Sequence, residues 1–362
     1  MKSISLWALA VTVLALSPLT SYASDFTASP SKGLTYKSPE GNLKVKVGGR
    51  LHLDSAWFNE DKTSLDDNAD IRRARLSLRA TLYKDWRLSA QYDLTDTEER
   101  YRSLWLRYSG FDKIRITFGQ FQEPFSLEES TSSNNIVFME RSLANALVPG
   151  TNLGLGVQHW DKHWGTSIGA FRETYIEDAS PFSSSEGYGF SGRFTAAPIK
   201  QKDTVLHFGL SGSHHAPDDS DKLRIRTQPE SDLTDEYFVS SGRMRNVDYY
   251  RSTGLESVLT KGPFSLQGEY IKTRVNRYGD KQDETFDGGY LTASWIINGD
   301  QRRYSSRSGT FSKLRTKNKS VWEVAIRRSF LDLSSSTGTI DKGRQTNTTW
   351  ALNWYANDNI RL

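Results

Sequence analysis

Between Ile71 and Tyr83 the chain reads I-R-R-A-R-L-S-L-R-A-T-L-Y. Successive side chains of a β-strand point to opposite faces. In that geometry Ala74, Leu76, Leu78, Ala80 and Leu82 share one face, and Arg73, Arg75, Ser77, Arg79 and Thr81 share the other. An ordinary solvated sheet face mixes charge signs, because like charges placed side by side repel. Three arginines in a row fit better on the wall of an aqueous passage that handles anions. A solvated sheet edge is the alternative reading of this strand alone.

The amino terminus narrows the choice. Lys2 supplies a positive start, Ile4 to Leu16 is an apolar run, and Ser21-Tyr22-Ala23 fits a small-x-small cleavage site. Residues 1–23 therefore read as a secretory signal peptide, and the apolar run is too short to span a bilayer. Residues 24–362 form the exported part, and nothing in them resembles a transmembrane helix. The chain has no cysteine, which excludes a small disulfide-stapled secreted domain.

Mean hydropathy is low, at −0.60, yet the chain holds 10 Trp, 16 Tyr and 17 Phe. Low hydropathy with many aromatics is the profile of a transmembrane β-barrel, in which only alternate strand residues meet lipid. The net formal charge is only +4, so any anion preference must come from where the charges sit.

Alternating segments recur at about 43–57, 69–83, 87–97, 101–109, 113–121, 152–160, 164–174, 186–197, 204–215, 248–260, 263–275, 287–297, 319–330 and 346–355. That is about fourteen strands of membrane-crossing length. Short, turn-rich links such as 84–86, 161–163 and 261–263 mostly alternate with long ones such as 58–68, 122–151, 175–185 and 216–247. Short periplasmic turns and long extracellular loops produce that asymmetry in outer-membrane barrels. Two links depart from it: 98–100 is short and 298–318 is long. Aromatics near strand ends (Trp57-Phe58, Trp86, Tyr108, Trp160, Trp164, Trp295 and Trp354-Tyr355) read as interfacial girdles. The Asp- and Ser-rich stretch 216–247 reads as a polar surface loop.

After the fifth long strand the chain does not turn back promptly. Ser126 is a helix N-cap candidate, with Glu128 and Glu129 in the first turn. A long, partly helical loop at about 122–151 is suited to fold into the lumen and narrow it; a helix outside the barrel is the alternative. There is no P-loop, no G-x-S-x-G and no H-E-x-x-H element, so nothing points to an enzyme, a metal or a cofactor. The vicinal pair His214-His215 would point to opposite faces of a strand.

The run G-Q-F-Q-E-P-F-S-L-E-E-S-T-S-S-N-N-I-V-F-M-E-R-S-L, Gly119 to Leu143, resembles the phosphate- and polyphosphate-selective porins of Gram-negative outer membranes. Arg72 to Leu76, Tyr290 to Tyr304 and Ala351 to Leu362 resemble the same family. The resemblance implies an all-β, antiparallel transmembrane β-barrel of the 16-strand porin type, assembled as a homotrimer in outer-membrane lipid. It implies passive diffusion of small anions such as phosphate or polyphosphate, and no nucleic-acid partner. It also implies an arginine ladder leading to a constriction with hydroxyl groups. Carried onto this chain, the ladder includes Arg73, Arg75 and Arg79, with Arg50, Arg107 and Arg115 inward by alternation. Ser132, Ser133 and Arg141 then lie at the inward loop. Arginine suits the task because its planar fork donates to two phosphate oxygens and keeps its charge.

Two features depart from the family pattern. The loop carries Glu123, Glu128, Glu129 and Glu140 and no lysine, whereas the resemblance implies lysine at the constriction. That composition points to weak anion preference, or to a general porin on the same frame. With about fourteen strands counted and a stub at Ile360-Arg361-Leu362, the chain also reads as C-terminally truncated, with two further strands expected. The alternative from another class is a secreted, soluble β-protein that binds glycans through its aromatics.

Overall fold

The computed structural model describes residues 26–29, 33–95, 101–172, 187–217, 222–298, 301–317, 319–334 and 341–362. The expected signal peptide and the link at 98–100 lie outside these residues. Sixteen strands join one antiparallel sheet, each paired with its neighbours in chain order. They are β1 (Phe26–Ser29), β2 (Gly33–Lys37), β3 (Leu43–Ala56), β4 (Asn68–Leu82), β5 (Trp86–Asp93), β6 (Tyr101–Tyr108), β7 (Ile114–Gln122) and β8 (Thr151–Trp160). Then follow β9 (Trp164–Arg172), β10 (Tyr188–Lys200), β11 (Thr204–Ala216), β12 (Val247–Lys261), β13 (Phe264–Arg277), β14 (Glu284–Ile296), β15 (Val321–Ser334) and β16 (Asp341–Tyr355). The fourteen strands expected from alternation are β3 to β16. β1 and β2 are additional, and too short to show a period. Among the described residues β1 and β16 are the two edges of the sheet.

The sheet wraps an interior. Loop 123–150 touches β3 and β4 through Asn134 and Glu140. The same loop touches β13, β15 and β16 through contacts to Glu269, Arg327 and Asn353. Strands far apart in the sheet therefore converge on one inner element. No helix among the described residues is long and apolar enough to cross a membrane.

Alternation decides which side chains face out. In β4, Leu76 is 53% exposed while Arg73 is 3% exposed. Phe118, Leu155, Ile168, Leu210, Leu255 and Leu352 are exposed in the same way. A soluble protein rarely shows so continuous an apolar outer band, and a lipid-facing barrel requires one. Hairpins are tight where the chemistry allows it. Lys261 pairs with Phe264 across Gly262-Pro263, and Gly262 takes φ +55 there, a conformation glycine adopts without a Cβ clash.

The interior is partly filled from both ends. Loop 123–150 forms α1 (Leu127–Ser130) and a 3₁₀ turn at Leu143–Leu147. Ser126 caps α1, its hydroxyl accepting from the Glu129 N–H at 3.2 Å, as its sequence position predicts. Leu143 and Leu147 pack with Leu223, Ile225, Val239, Met244, Phe286 and Leu331. This corrects the surface-loop reading of 216–247. Apolar residues scattered through residues 223–244 are buried against the inward loop and the wall, and a two-residue ribbon pairs Arg226–Thr227 with Val239–Ser240. The long link after β14 also folds inward, from the short-turn end. Its ribbon pairs Tyr304–Ser305 with Thr310–Phe311. Phe311 packs with Leu127, Ala197, Val205 and Val258. A Cβ on Gly165 would lie 2.5 Å from the Ser306 carbonyl, so glycine is needed where this link meets the wall.

The girdle reading holds for only part of its set. Trp86 packs tilted against Tyr108, while Trp295 stacks on Phe264 and Trp354 on Trp322 near strand ends. Trp160 and Tyr355 instead point inward: Trp160 meets Arg115 and Arg307, and Tyr355 donates to Glu323.

Candidate functional site: an arginine-walled lumen

A cavity of about 1910 Å³ remains between β3 to β6, loop 123–150, residues 226–237 and the turn at 357–362. Arg50, Arg73, Arg75 and Arg79 line it, as alternation predicts, and Ser132 and Ser133 line it from the loop. The register explains the row. Arg50 of β3 pairs with Arg75 of β4, Lys46 with Arg79, and His52 with Arg73. Like charges directly opposite are unfavourable in a sheet, so this row persists only with compensation from elsewhere.

The compensation is uneven. Glu140 takes up Arg73 in two bonds of 2.9 Å and receives Arg72 Nε at 2.6 Å. Arg72 also reaches Asp232 at 3.0 Å, so it ties two inward loops together. Arg75 donates to Asp93. Arg50 meets an amide rather than a carboxylate, donating to Asn134 Oδ1 at 3.2 Å. Arg79 is exposed to the lumen and has no carboxylate partner among the described residues. The uncompensated positive charge of this wall therefore sits at Arg50 and Arg79.

Every carboxylate of the inward loop is also held. Glu123 lies 3.1 Å from His215 and accepts from Asn152 at 2.8 Å. Glu128 pairs with Arg327 at 3.1 Å and accepts from the Ser142 hydroxyl at 2.7 Å. Glu129 pairs with Arg141 at 3.0 Å. Burial alone would raise the Glu140 carboxyl, but its bond to Arg72 and the charge of Arg73 hold it below the usual carboxylate range. Burial pushes the Asp232 carboxyl up, and the charge of Arg72 opposes this only in part.

Arg141 lines the cavity, but its donors serve the loop. They reach the carbonyls of Glu128, Glu129 and Thr131 at 3.1 to 3.3 Å. The start of α1 is anchored by the Glu269 carboxylate, which accepts the Leu127 and Glu128 N–H groups at 2.9 and 2.7 Å. Arg327, buried in β15, joins Glu128 to Glu230 at 2.6 Å. Composition of the loop alone does not reveal these anchors. Their signal is the polar inward face of the later strands, on which Glu323, Arg327 and Ser329 fall at even spacing.

Arg107 and Arg115 also face inward but lie outside the 1910 Å³ cavity. Arg107 Nε donates to Thr117 Oγ1 at 2.8 Å, and Arg115 lies over the Trp160 ring at 5.1 Å.

A family model described as phosphate-selective porin O and P matches residues 45–362. Porin O of Pseudomonas aeruginosa is 27% identical over 397 aligned positions, spanning 98% of this chain and 90% of that protein. Outer-membrane-expressed OmpT of Vibrio cholerae shares the fold at TM-score 0.52 and 11% identity, covering 90% of this chain and 85% of that chain. The in-vitro folded trimer form of OmpT matches at TM-score 0.52 and 12% identity, covering 86% and 83%.

Proposed function

Because this chain belongs to the phosphate-selective porin O and P family, we propose that it passes small anions, phosphate foremost, along a wall that starts at Arg73 and Arg75 and runs through Arg50 to Arg79. The protein is a Gram-negative outer-membrane channel rather than an enzyme. The observation that carries the anion reading is the pairing pattern. Each carboxylate of the inward loop already holds a basic side chain, while among the described residues Arg50 and Arg79 face the lumen without a carboxylate. An oxyanion moving past meets hydroxyls at Ser132 and Ser133 on the facing loop. Conduction requires that such sites release as readily as they bind. Arg50 and Arg79 fit that role, whereas Arg73 and Arg141 are spent on the loop. The functional unit is a homotrimer in outer-membrane lipid, a reading supported by the trimer form of the structurally similar OmpT.

Planar-bilayer recording in a KCl gradient tests this. The unmodified channel should reverse on the anion side, and Arg50→Ala with Arg79→Ala should move the reversal potential toward cations. An unmodified channel that prefers cations makes this a general porin on the same frame.

A further inference from the structure

The outer wall carries a charge pattern of its own, at the end where the long links lie. Side chains of β11, β12 and β13 fall there into level rungs. His214, Arg251 and Arg274 are successive cross-strand partners. The next rung toward the short turns is Gly212, Thr253 and Lys272, and the one after it is Leu210, Leu255 and Tyr270. Leu210, Leu255 and Tyr270 are exposed on the outer surface, so by alternation the two rungs above them face outward as well. The vicinal histidines divide accordingly: His215 is buried against Glu123, and His214 is on the outer face.

The height of the basic rung follows from the strand. Arg251 and Lys261 share the outer face of β12, ten residues apart. At about 3.4 Å per residue and a tilt of about 40°, they differ in height by about 26 Å. The apolar band of an outer-membrane barrel is about 25 Å tall. With Lys261 at the short-turn boundary, Arg251 and Arg274 lie at the level of the outer-leaflet headgroups.

The rung is also held in shape. Arg251 Nε donates to His214 Nδ1 at 3.0 Å, and its guanidinium lies 4.5 Å from the centre of the Tyr249 ring. Because His214 Nδ1 accepts, its proton sits on Nε2 as a further donor. Arg251 and Arg274 are like charges directly opposite, an unfavourable pair in a sheet. Among the described residues no carboxylate pairs with Arg251, Lys272 or Arg274, whereas Arg277 on the inner face lies 3.8 Å from Glu284. Asp287, opposite Lys272, is engaged by Tyr270. Beside Thr253, Gly212 and its partner Gly192 leave a notch, and a Cβ on Gly212 would meet nothing within 4 Å.

We propose that His214, Arg251, Lys272 and Arg274 form a docking site for a phosphorylated lipid of the outer leaflet. Its phosphate bridges Arg251 and Arg274, and an acyl chain runs past Gly212 along Leu210 and Leu255. The bilayer thus supplies the anion that the sheet lacks, and a repulsive pair becomes a clamp. The site rests on the outer-membrane placement of the chain and is independent of the selectivity of the lumen.

The full-length protein in detergent is titrated with lipid A and with lipid A stripped of its phosphates, and native mass spectrometry counts the bound lipid. Lipid A should bind about tenfold more tightly than the stripped form, the scale of one charge-assisted hydrogen bond. R251Q/R274Q should lose that difference while single-channel conductance stays unchanged. Thr253→Glu, which keeps both arginines and adds an acid one rung away, should weaken lipid A binding too. The chain has no cysteine, so a benzophenone attached through Thr253→Cys reports what covers the face, and it should capture lipid A. Equal binding of the two lipids, or lipid A affinity unchanged in both arginine and glutamate variants, overturns the proposal. Capture of a neighbouring protomer instead of lipid overturns it as well, and marks a second copy as the occupant.

Discussion

Glu140 is the residue whose replacement most sharply tests how the lumen sets its sign. Arg72, Arg73, Glu140 and Asp232 form one cluster in which two positive and two negative charges balance. Glu140→Gln keeps the shape and one acceptor oxygen, and leaves the cluster with a net positive charge beside the passage. A unit charge about 4 Å from a passing monovalent ion is worth about 1 kcal/mol in water and about 4 kcal/mol at the effective dielectric of a protein surface. With screening in a wet lumen we take the lower figure, about fivefold for each ion and opposite in sign for anion and cation, so the anion-to-cation permeability ratio should rise about 30-fold. The assay is the reversal potential across a bilayer in a KCl gradient, repeated near 1 M salt, where the gain should shrink. Single-channel conductance serves as the control that the loop remains in place. A normal conductance with an unshifted reversal potential, or a shift toward cations, would refute the charge-balance reasoning.

Asp232 gives a pH signature. Its carboxyl titrates above the usual range, so on mild acidification it gains a proton before Glu140 does, and Arg72 loses one counter-charge. Anion preference should therefore rise as pH falls, and Asp232→Asn should flatten that rise; an equal slope in the variant would rule the assignment out. On the outer face, Leu78→Arg should cost about 2–4 kcal/mol if the site lies near the bilayer midplane. Ser77→Arg, one residue away but facing the lumen, should cost far less. Urea unfolding from lipid vesicles compares the two, and equal costs would mean the register of β4 is inverted.

Much of this architecture is written in local periodicity. The strand at 69–83 announces its own faces, because alternation is a property of neighbours in sequence. The Ser126 cap and the acidic first turn of α1 were legible for the same reason. The partners of the loop carboxylates were not. Glu128 finds Arg327 across 199 positions, and no local pattern links the two. Four carboxylates in the loop read as opposition to anions, and the fold turns them into struts. The link at 298–318 stood out only as a length anomaly, since its apolar contacts, such as Phe311 on Leu127, depend on what the barrel wall brings near. Residues 216–247 misled for a related reason. Apolar residues spaced irregularly among polar ones look like a surface loop until a cavity of matching shape surrounds them.

The loop that shapes the passage is made early in the chain and fastened late. Its helix start is held by Glu269, its first turn by Arg327, and its underside by Phe311, which lie 141 or more positions downstream. A nascent chain that has inserted only its first seven strands thus carries a constriction element tied to β3 and β4 through Asn134 and Glu140 but not yet to the far wall. Closing contacts over such separations is entropically expensive and slow. Selectivity is accordingly acquired at the end of biogenesis. Intermediates on that route present the loop, with Glu123, Glu128 and its apolar residues still without their later partners, to whatever escorts the polypeptide across the periplasm.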